Sequence, residues 1–332
     1  MIRIAVLGGG SWGTTLADML CRKGFEVGLW VREKELVKEI SVKRENTWYL
    51  PGIKLSDRLF VSSEAGQVLK GSDYILVVIP CQFMRGVLES LRDIFPQNPV
   101  TICASKGVEL ATLKPQSSVI NEALAGKNPR YAVLSGPSFA GEVSRRLPTA
   151  VSLGCEDIDL GRLLQDIMST DFFRVYANPD YRGVELGGAL KNIMAVAAGI
   201  SDGLEFGLDA RAALITRGLV EMSRFGVALG GRERTFMGLS GMGDLVLTCT
   251  GDLSRNRQVG LALGRGKTLA DILAESKTVA EGVKTTESVY RLSQKLGVEM
   301  PITEQVYSVL FENKDPRSAV EELMTRELKI EQ

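Results

Sequence analysis

The amino-acid sequence predicts an N-terminal doubly wound α/β domain followed by an all-helical domain. A chain of 332 residues is longer than one hydrophobic core usually organises. Short β-rich runs alternate with helical patterns as far as residue 179, and this alternation is typical of βαβ units in a mostly parallel sheet. Beyond that point strand signals fade and long helical patterns dominate. We therefore predict one domain over residues 1–179 and another over residues 180–332.

Each element of the first domain is predicted from its hydrophobic periodicity. Eight short runs have the apolar, β-rich character of strands: Arg3–Leu7, Glu26–Val31, Leu59–Val61, Tyr74–Ile79, Val100–Ala104, Tyr131–Leu134, Thr149–Leu153 and Phe172–Tyr176. Helical spacing falls between them at Thr14–Lys23, Glu33–Lys43, Phe83–Ile94 and Leu160–Met168.

The second domain is predicted to contain helices. Val184–Ile200 is apolar nearly all round, which is typical of a buried helix. The further helical patterns are Ala210–Leu229, Leu269–Glu275, Thr285–Lys295, Ile302–Phe311 and Pro316–Leu328.

The composition excludes several classes of protein. Lys plus Arg and Asp plus Glu both number 40, so there is no basic excess to favour a nucleic-acid partner. The sequence has no uninterrupted run of about 18 apolar residues, so we expect no membrane span. The five cysteines are scattered without a C-x-x-C pair, which argues for a reducing compartment, and we predict a cytoplasmic protein.

The chain contains no histidine. This excludes dehydrogenases with a histidine base, Ser-His-Asp triads and histidine-ligated metal sites, and we predict no metal. An enzyme with this composition must move protons near neutral pH with Lys, Asp, Glu, Cys or Tyr.

A glycine-rich turn, G-G-G-S-W-G at 8–13, follows the first predicted strand and opens a helical pattern. In this context G-x-G-x-x-G is typical of a Rossmann dinucleotide-binding domain. Gly8 permits the tight turn, Gly10 lets the backbone approach pyrophosphate, and Gly13 lets helix and strand pack closely. The pyrophosphate is expected at the N–H groups of the helix start.

The cofactor preference is predicted from the end of the second strand. NAD-selective sites usually place an acidic residue about 20 residues after the glycines, on the ribose hydroxyl. Here Arg32 lies at about that place, followed by Glu33. An arginine suits a 2′-phosphate, so we predict that NADP(H) is used at least as well as NAD(H). The alternative is a solvated arginine at a strand end.

Polar groups follow two later strands of the predicted sheet. Lys106 comes after Val100–Ala104, and the small-residue turn S-G-P-S-F-A at 135–140 comes after Tyr131–Leu134. Ligands of open α/β sheets bind beyond the carboxyl ends of strands. We therefore expect Lys106 to face the nicotinamide end of the cofactor and Ser138 to offer a hydroxyl.

The helical domain contains its own polar candidates. Lys191 interrupts the apolar pattern of Val184–Ile200, so it either reaches to the surface or is held at a polar pocket. Asp244 stands at the head of a helix, where it could equally be an N-cap. Ser254-Arg255-Asn256 is predicted to lie in a polar, glycine-flanked loop whose donors suit a phosphate.

Taken together, these segments resemble the NAD(P)-dependent glycerol-3-phosphate dehydrogenase family of bacterial type. The resemblance covers essentially the whole chain. It rests on G-G-G-S-W-G at 8–13, A-S-K-G at 104–107, S-G-P-S-F-A at 135–140, L-K-N at 190–192, G-M-G-D at 241–244, S-R-N at 254–256 and V-A-E-G at 279–282. It implies reversible reduction of dihydroxyacetone phosphate to sn-glycerol 3-phosphate with NADP or NAD, supplying glycerophospholipid synthesis. Members are often homodimers.

The resemblance also implies residue roles. Cofactor contacts would come from the glycine turn with Ser11 and Trp12, from Arg32, Lys106, Ala140 and Arg255, and from Val279 and Glu281. Substrate contacts would come from Lys106, Gly136, Ser138, Lys191, Asp244, Ser254, Arg255 and Asn256. Lys191 matches the general base, Asp244 its polar partner, and Thr248 lies on the same helix face at i+4.

The implied mechanism is hydride transfer with Lys191 as general acid and base. A lysine pKa of about 10.4 must fall by a few units for the amine to serve as a base. Burial and the cations Lys106 and Arg255 would lower the pKa of Lys191, whereas Asp244 and the substrate dianion would raise it. The sequence leaves this balance open.

Two other functions fit parts of the sequence. A two-domain dehydrogenase acting on a hydroxy acid such as ketopantoate could share the build and a lysine base, but a carboxylate substrate needs no phosphate-binding S-R-N segment. A non-catalytic NAD(P)-binding sensor would need the glycine turn but not Lys106, Lys191 and Asp244 together.

Overall fold

The computed structural model describes residues 1–275, 280–328 and 330, and it divides into two compact units. We call Met1–Lys106 together with Lys114–Glu185 the sheet unit. Gly107–Leu113 together with Leu186–Gln332 form the helical unit. The division therefore falls inside a helix, after Glu185.

The sheet unit is built around one eight-stranded sheet in the order β3-β2-β1-β4-β5-β6-β7-β8. All neighbouring pairs are parallel except β6 and β7. The strands are β1 Arg3–Leu7, β2 Glu26–Trp30, β3 Phe60–Ser62, β4 Tyr74–Val77, β5 Val100–Cys103, β6 Arg130–Ser135, β7 Thr149–Gly154 and β8 Phe173–Asn178. All eight predicted strands are confirmed, as is the mostly parallel sheet.

Hydrophobic side chains cover both faces of this sheet. In β1, Ile4 and Val6 belong to one core cluster and Ala5 and Leu7 to another, and all four are 0% exposed. A parallel sheet buried on both faces requires strands that read as continuous apolar runs. Because β1, β4, β5 and β6 are parallel neighbours, their carboxyl ends meet at one edge. The segments at 8–13, 104–107 and 135–140 therefore begin along the same edge.

The helices of the sheet unit connect these strands. They are α1 Ser11–Lys23, α2 Lys34–Lys43, α3 Ala65–Leu69, α4 Cys81–Leu91, α5 Gln116–Ala123, α6 Ala140–Ser144 and α7 Ile158–Met168. The four predicted helices of this region are confirmed as α1, α2, α4 and α7. The three that the sequence did not predict are the shortest, because few turns give a weak periodic signal.

The helical unit has no strand among its described residues. Its helices, the first of which begins in the sheet unit, are α8 Tyr181–Gly203, α9 Gly207–Ala228, α10 Glu233–Phe236, α11 Asp244–Thr250, α12 Arg255–Gly264, α13 Leu269–Glu275, α14 Glu281–Leu296, α15 Pro301–Phe311 and α16 Pro316–Met324. A π-helical turn at Leu239–Gly243 precedes α11. The predicted helices and the all-helical class are confirmed.

One predicted loop is wrong. Ser254-Arg255-Asn256 opens α12, a ten-residue helix, instead of lying in a loop. Ser254 is its N-cap, and its hydroxyl oxygen accepts a hydrogen bond from the Arg257 N–H at 3.2 Å. Gly260 and Gly264, which weaken helix propensity, hid this helix from the sequence pattern.

α8 is the core helix of the helical unit. Among the described residues it is the one helix long and apolar enough to cross a membrane, yet all of its apolar window is buried inside the protein. Ala195, Val196 and Ala198 are 0% exposed and pack with residues of α9, α11 and α14. This burial is the predicted environment of Val184–Ile200.

Candidate active site

The glycine turn has the geometry of a dinucleotide-binding turn. Gly8 has a φ of +125°, and a Cβ there would lie 2.3 Å from the Val78 carbonyl oxygen. A Cβ on Gly13 would lie 1.9 Å from the Gly8 carbonyl oxygen, whereas one on Gly10 would meet nothing within 4 Å. The first and third glycines thus permit close packing, and the second faces open space that a ligand can enter.

Ser11 and Trp12 form the first turn of α1 directly after these glycines. The N-cap of α1 is Gly10, which has no side chain to satisfy the N–H groups at the helix start. Trp12 packs against Phe173, with ring centroids 6.3 Å apart. The start of α1 therefore offers backbone donors and a positive dipole end to an anion.

Arg32 lies just beyond β2, and its side chain is 75% exposed. Its Nη2 and Nε donate to Glu33 Oε1 at 2.7 and 3.1 Å. The arginine and the acid that the sequence identified are therefore paired with each other at the strand end.

The side chains of Lys106 and Ser138 both contact the carbonyl group of Gly136. Lys106 Nζ lies 3.4 Å from the Gly136 carbonyl oxygen, and the Ser138 hydroxyl donates to the same oxygen at 3.0 Å. Gly136 has a φ of +147°, and a Cβ there would lie 2.9 Å from Val151 Cα, so only glycine fits. Ala140 begins α6, and its carbonyl oxygen lies 3.4 Å from Thr15 Oγ1 on α1.

The centre of the helical unit holds a buried lysine. Lys191 is 8% exposed, which excludes the alternative that it reaches into solvent. Its Nζ donates to Thr248 Oγ1 at 2.7 Å and lies 3.1 Å from Asp244 Oδ1. Asp244 and Thr248 are 1% and 2% exposed. The sequence placed these three residues together by resemblance, and the structure brings their side chains into direct contact.

Two glycines let the turn before Asp244 pack closely, one of them against α8 and the other against α10. A Cβ on Gly187 would lie 2.6 Å from the Ser240 carbonyl oxygen, and one on Gly241 would lie 2.0 Å from that of Phe236. The π-helical turn therefore runs close to α8 and delivers Asp244 to the start of α11. Gly187 did not stand out in the sequence, whereas Gly241 belongs to the G-M-G-D segment at 241–244.

The neighbouring thiol is not a competing base. Cys249 lies next to Thr248 on α11, and burial raises its pKa to about 12. A thiol with this pKa stays protonated near neutral pH. All five cysteines are buried and none forms a disulfide.

The start of α12 packs beside Lys191 on α8. Asn256 Nδ2 donates to Asn192 Oδ1 at 2.9 Å, and the Gly282 N–H donates to Asn256 Oδ1 at 2.9 Å. Asn256 thereby joins α8 to the first turn of α14, which begins at Glu281. Ser254 is buried and Arg255 is exposed. Val279, predicted to contact the cofactor, lies outside the described residues.

Arg257, which the sequence did not single out, fixes this end of α12. Its guanidinium contacts Asp202 Oδ2 at 2.7 Å and Asp252 Oδ1 at 2.9 Å, and Arg211 contacts Asp202 Oδ1 at 2.6 Å. Arg257 is 8% exposed, whereas the predicted Arg255 lies on the surface. Along S-R-N-R at 254–257 Arg255 is exposed and the other three residues are buried, and no signal in the sequence separates the two arginines.

Comparisons with known proteins cover nearly all of the chain. Residues 3–161 match the family described as NAD-dependent glycerol-3-phosphate dehydrogenase N-terminus, and residues 180–321 match the corresponding C-terminus. A glycerol-3-phosphate dehydrogenase (NAD(P)+) from Solidesulfovibrio magneticus is 61% identical over 99% of this chain and 100% of its own length. A crystal structure of glycerol-3-phosphate dehydrogenase from Coxiella burnetii is 42% identical, with a TM-score of 0.93 over 98% of this chain and 99% of that chain.

The fold, the glycine turn and these matches define an NAD(P)-dependent dehydrogenase with a Rossmann sheet and a helical second part. Within that class, the chain belongs to the NAD-dependent glycerol-3-phosphate dehydrogenase family. A ketopantoate reductase from Ralstonia eutropha is 15% identical, with a TM-score of 0.59 over 97% of this chain and 100% of that chain, which shows a likeness of fold alone.

Proposed function

We propose that this protein catalyses the reversible reduction of dihydroxyacetone phosphate to sn-glycerol 3-phosphate with NADPH or NADH. The observation that carries the proposal is the buried Lys191 in contact with Asp244 and Thr248, in a chain without histidine. The 61% identity to a glycerol-3-phosphate dehydrogenase supports the choice of substrate. In this direction the reaction would supply sn-glycerol 3-phosphate for glycerophospholipid synthesis.

Lys191 is the proposed general acid and base. During reduction its ammonium group donates a proton to the C2 oxygen of the substrate, and during oxidation the free amine removes that proton. The Asp244 carboxylate stabilises the ammonium form, whereas burial of the pair favours the neutral amine. Thr248 accepts one hydrogen bond from Lys191, which fixes the direction of the side chain.

The start of α12 is the proposed site for the substrate phosphate. Ser254 accepts a bond from Arg257 but still carries its own hydroxyl hydrogen, and Asn256 Nδ2 has a second hydrogen beyond the one given to Asn192. With the exposed Arg255, these donors lie where the helix dipole favours an anion. We also assign substrate contacts to Gly136 and to Lys106 and Ser138, whose side chains both contact the Gly136 carbonyl oxygen.

The sheet unit is the proposed holder of the dinucleotide. When bound, the nicotinamide ring supplies the hydride for the reduction. The open space beside Gly10 and the uncapped start of α1 fit a pyrophosphate. The further cofactor residues that we propose are Gly8, Ser11, Trp12, Gly13, Arg32, Lys106, Ala140, Arg255, Val279 and Glu281.

We further propose that residues 1–179 form the NAD(P)-binding domain and residues 180–332 the substrate-binding domain. The five buried thiols without a disulfide support a cytoplasmic setting. We propose a homodimer, which light scattering on the purified protein tests.

The deciding experiment compares dihydroxyacetone phosphate with ketopantoate as oxidant of NADPH, followed by loss of NADPH absorbance. We expect turnover of dihydroxyacetone phosphate and no turnover of ketopantoate.

Lys191→Met should lower kcat at least roughly 100-fold, the size of a lost general acid–base group. Lys191→Arg keeps the charge and much of the bulk but cannot act as a base, so it should lose activity while remaining folded. The exposed Lys267→Met is the matched control. Near-wild-type turnover by Lys191→Met would end the assignment.

The cofactor preference has its own test. We expect Arg32→Ala to raise the KM for NADPH and to leave that for NADH nearly unchanged, because a forked contact to the 2′-phosphate would be lost. Steady-state kinetics with both cofactors measure this. Equal or better kinetics with NADH in the wild type, unaltered in the variant, would exclude Arg32 from this role.

A further inference from the structure

The glycine turn is held by a side chain from a distant irregular segment. Residues 44–59 connect α2 to β3 with no helix or strand, apart from one bridge between Asn46 and Leu50. Structureless segments of this length in a compact domain are usually functional. Asn46 lies within this segment and is 0% exposed.

Three hydrogen bonds fix the Asn46 side chain. Its Nδ2 donates to the Gly9 carbonyl oxygen and to Thr14 Oγ1, each at 2.8 Å. Its Oδ1 accepts from the Tyr49 N–H at 3.2 Å. Both amide hydrogens are thus used, one on the turn and the other on the first turns of α1.

This contact fixes the direction of one peptide group. In a trans peptide the C=O and the following N–H point in opposite directions. Because the Gly9 carbonyl points at Asn46, the Gly10 N–H points away from it. Gly10 is also the glycine of the turn at which a Cβ would meet nothing within 4 Å. Without the amide, the Gly9 carbonyl would lose its 2.8 Å bond and keep the longer 3.4 Å contact from the Thr14 hydroxyl, so the peptide would be held less firmly.

We propose that Asn46 is a positioning residue for dinucleotide binding, which holds the Gly9–Gly10 peptide so that the Gly10 N–H faces the pyrophosphate. The inference rests on the proposed cofactor site. Asn46 touches the turn and acts through it.

The chain offers a matched control on the same two elements. Asp18, also on α1, accepts from the Ser56 N–H at 2.6 Å and from Arg22 Nε at 2.7 Å. It therefore attaches residues 44–59 to α1, as Asn46 does, but without contacting the glycines. Asp18→Asn should loosen the segment and leave the turn unchanged.

The test is calorimetric titration of the whole protein with NADPH. Asn46→Asp keeps the side-chain shape and the acceptor for Tyr49 but sets an oxygen against the Gly9 carbonyl oxygen. We expect its Kd for NADPH to rise at least about tenfold, the equivalent of roughly one hydrogen bond. Asn46→Ala should act in the same direction and keeps the test readable if the buried carboxylate prevents folding. Asp18→Asn should lower the Tm with a Kd within about twofold of wild type.

Two results would overturn the inference: unchanged NADPH affinity in folded Asn46 variants, or an equal loss of affinity in Asp18→Asn. In kinetics, the KM for NADPH should rise in Asn46→Ala while kcat at saturation stays within about threefold, a change of under 1 kcal/mol. Wild-type protein that binds NADPH without reducing dihydroxyacetone phosphate would contradict the proposed function alone, because calorimetry still compares the variants.

Discussion

Gly199→Ala should separate α8 from α12 and weaken the proposed phosphate site. A Cβ on Gly199 would lie 2.1 Å from the Arg257 carbonyl oxygen and 2.7 Å from the Leu261 nitrogen. Facing it, a Cβ on Gly260 would lie 2.0 Å from the Val196 carbonyl oxygen. These opposing atoms are backbone, so no change of rotamer can relieve the contact. The helices must move apart by about 1 Å or more to reach an ordinary van der Waals separation.

The expected magnitude combines two opposing effects. Alanine is favoured over glycine inside a helix by about 1 kcal/mol. Overpacking a close contact costs about 1–3 kcal/mol, and stretching the nearby Asn192–Asn256 hydrogen bond of 2.9 Å costs roughly 1 kcal/mol more. We therefore expect the free energy of unfolding to fall by about 1–3 kcal/mol. Because Asn256 belongs to the displaced helix start, the KM for dihydroxyacetone phosphate should also rise several-fold.

Urea unfolding and steady-state kinetics measure the two effects. Gly86→Ala is the control, since Gly86 lies in α4 and a Cβ there would meet nothing within 4 Å, so this variant should gain up to about 1 kcal/mol. If Gly199→Ala were stabilised in the same way, the reasoning about backbone contact would be refuted. Lower stability with an unchanged KM would remove the start of α12 from the substrate site.

Two further predictions concern the helical unit. Arg255→Ala should raise the KM for dihydroxyacetone phosphate with little effect on stability, because the side chain is exposed; an unchanged KM would remove it from the phosphate site. Burial raises the pKa of Glu221 above its ordinary value of 4.5, although its carboxylate accepts bonds from the Ile302 and Thr303 N–H groups. The folded state therefore binds this proton more tightly than the unfolded chain, so the stabilisation is present below pH 4.5 and is lost as pH rises through the folded pKa. The unfolding free energy of wild type minus that of Glu221→Gln should fall as the pH rises across that window, by up to about 1.4 kcal/mol per pH unit, and a pH-independent difference in urea titrations would contradict it.

Most of the fold could be predicted from local sequence patterns. The eight strands follow from short apolar runs, and α8 follows from an apolar run with few charges. These signals depend on burial, which affects every residue of an element, so they survive without knowledge of partners. α12 was not predicted as a helix because its glycines serve contacts with α8 and not its own helix propensity.

The features of the candidate site differ in the same way: the local ones could be predicted from the sequence and the contacts between distant residues could not. The glycine turn could be identified because its three positions lie within six residues, and the physical demands on each are local. The pairing of Arg257 with Asp202 could not, since 55 residues separate them. Resemblance brought Lys191, Asp244 and Thr248 together, but only the folded structure shows which of their atoms are in contact.

The sequence by itself therefore determined the eight strands and most of the longer helices along the chain, the dinucleotide turn and the absence of imidazole chemistry. Tertiary structure alone decided that Lys191 is buried against Thr248, 57 residues away, and that Asn46 reaches Gly9 across 37 residues. The physical reason is that propensity and amphipathicity act within a few residues of the chain. Hydrogen bonds between distant side chains and close contacts at glycines are set only when whole elements have packed.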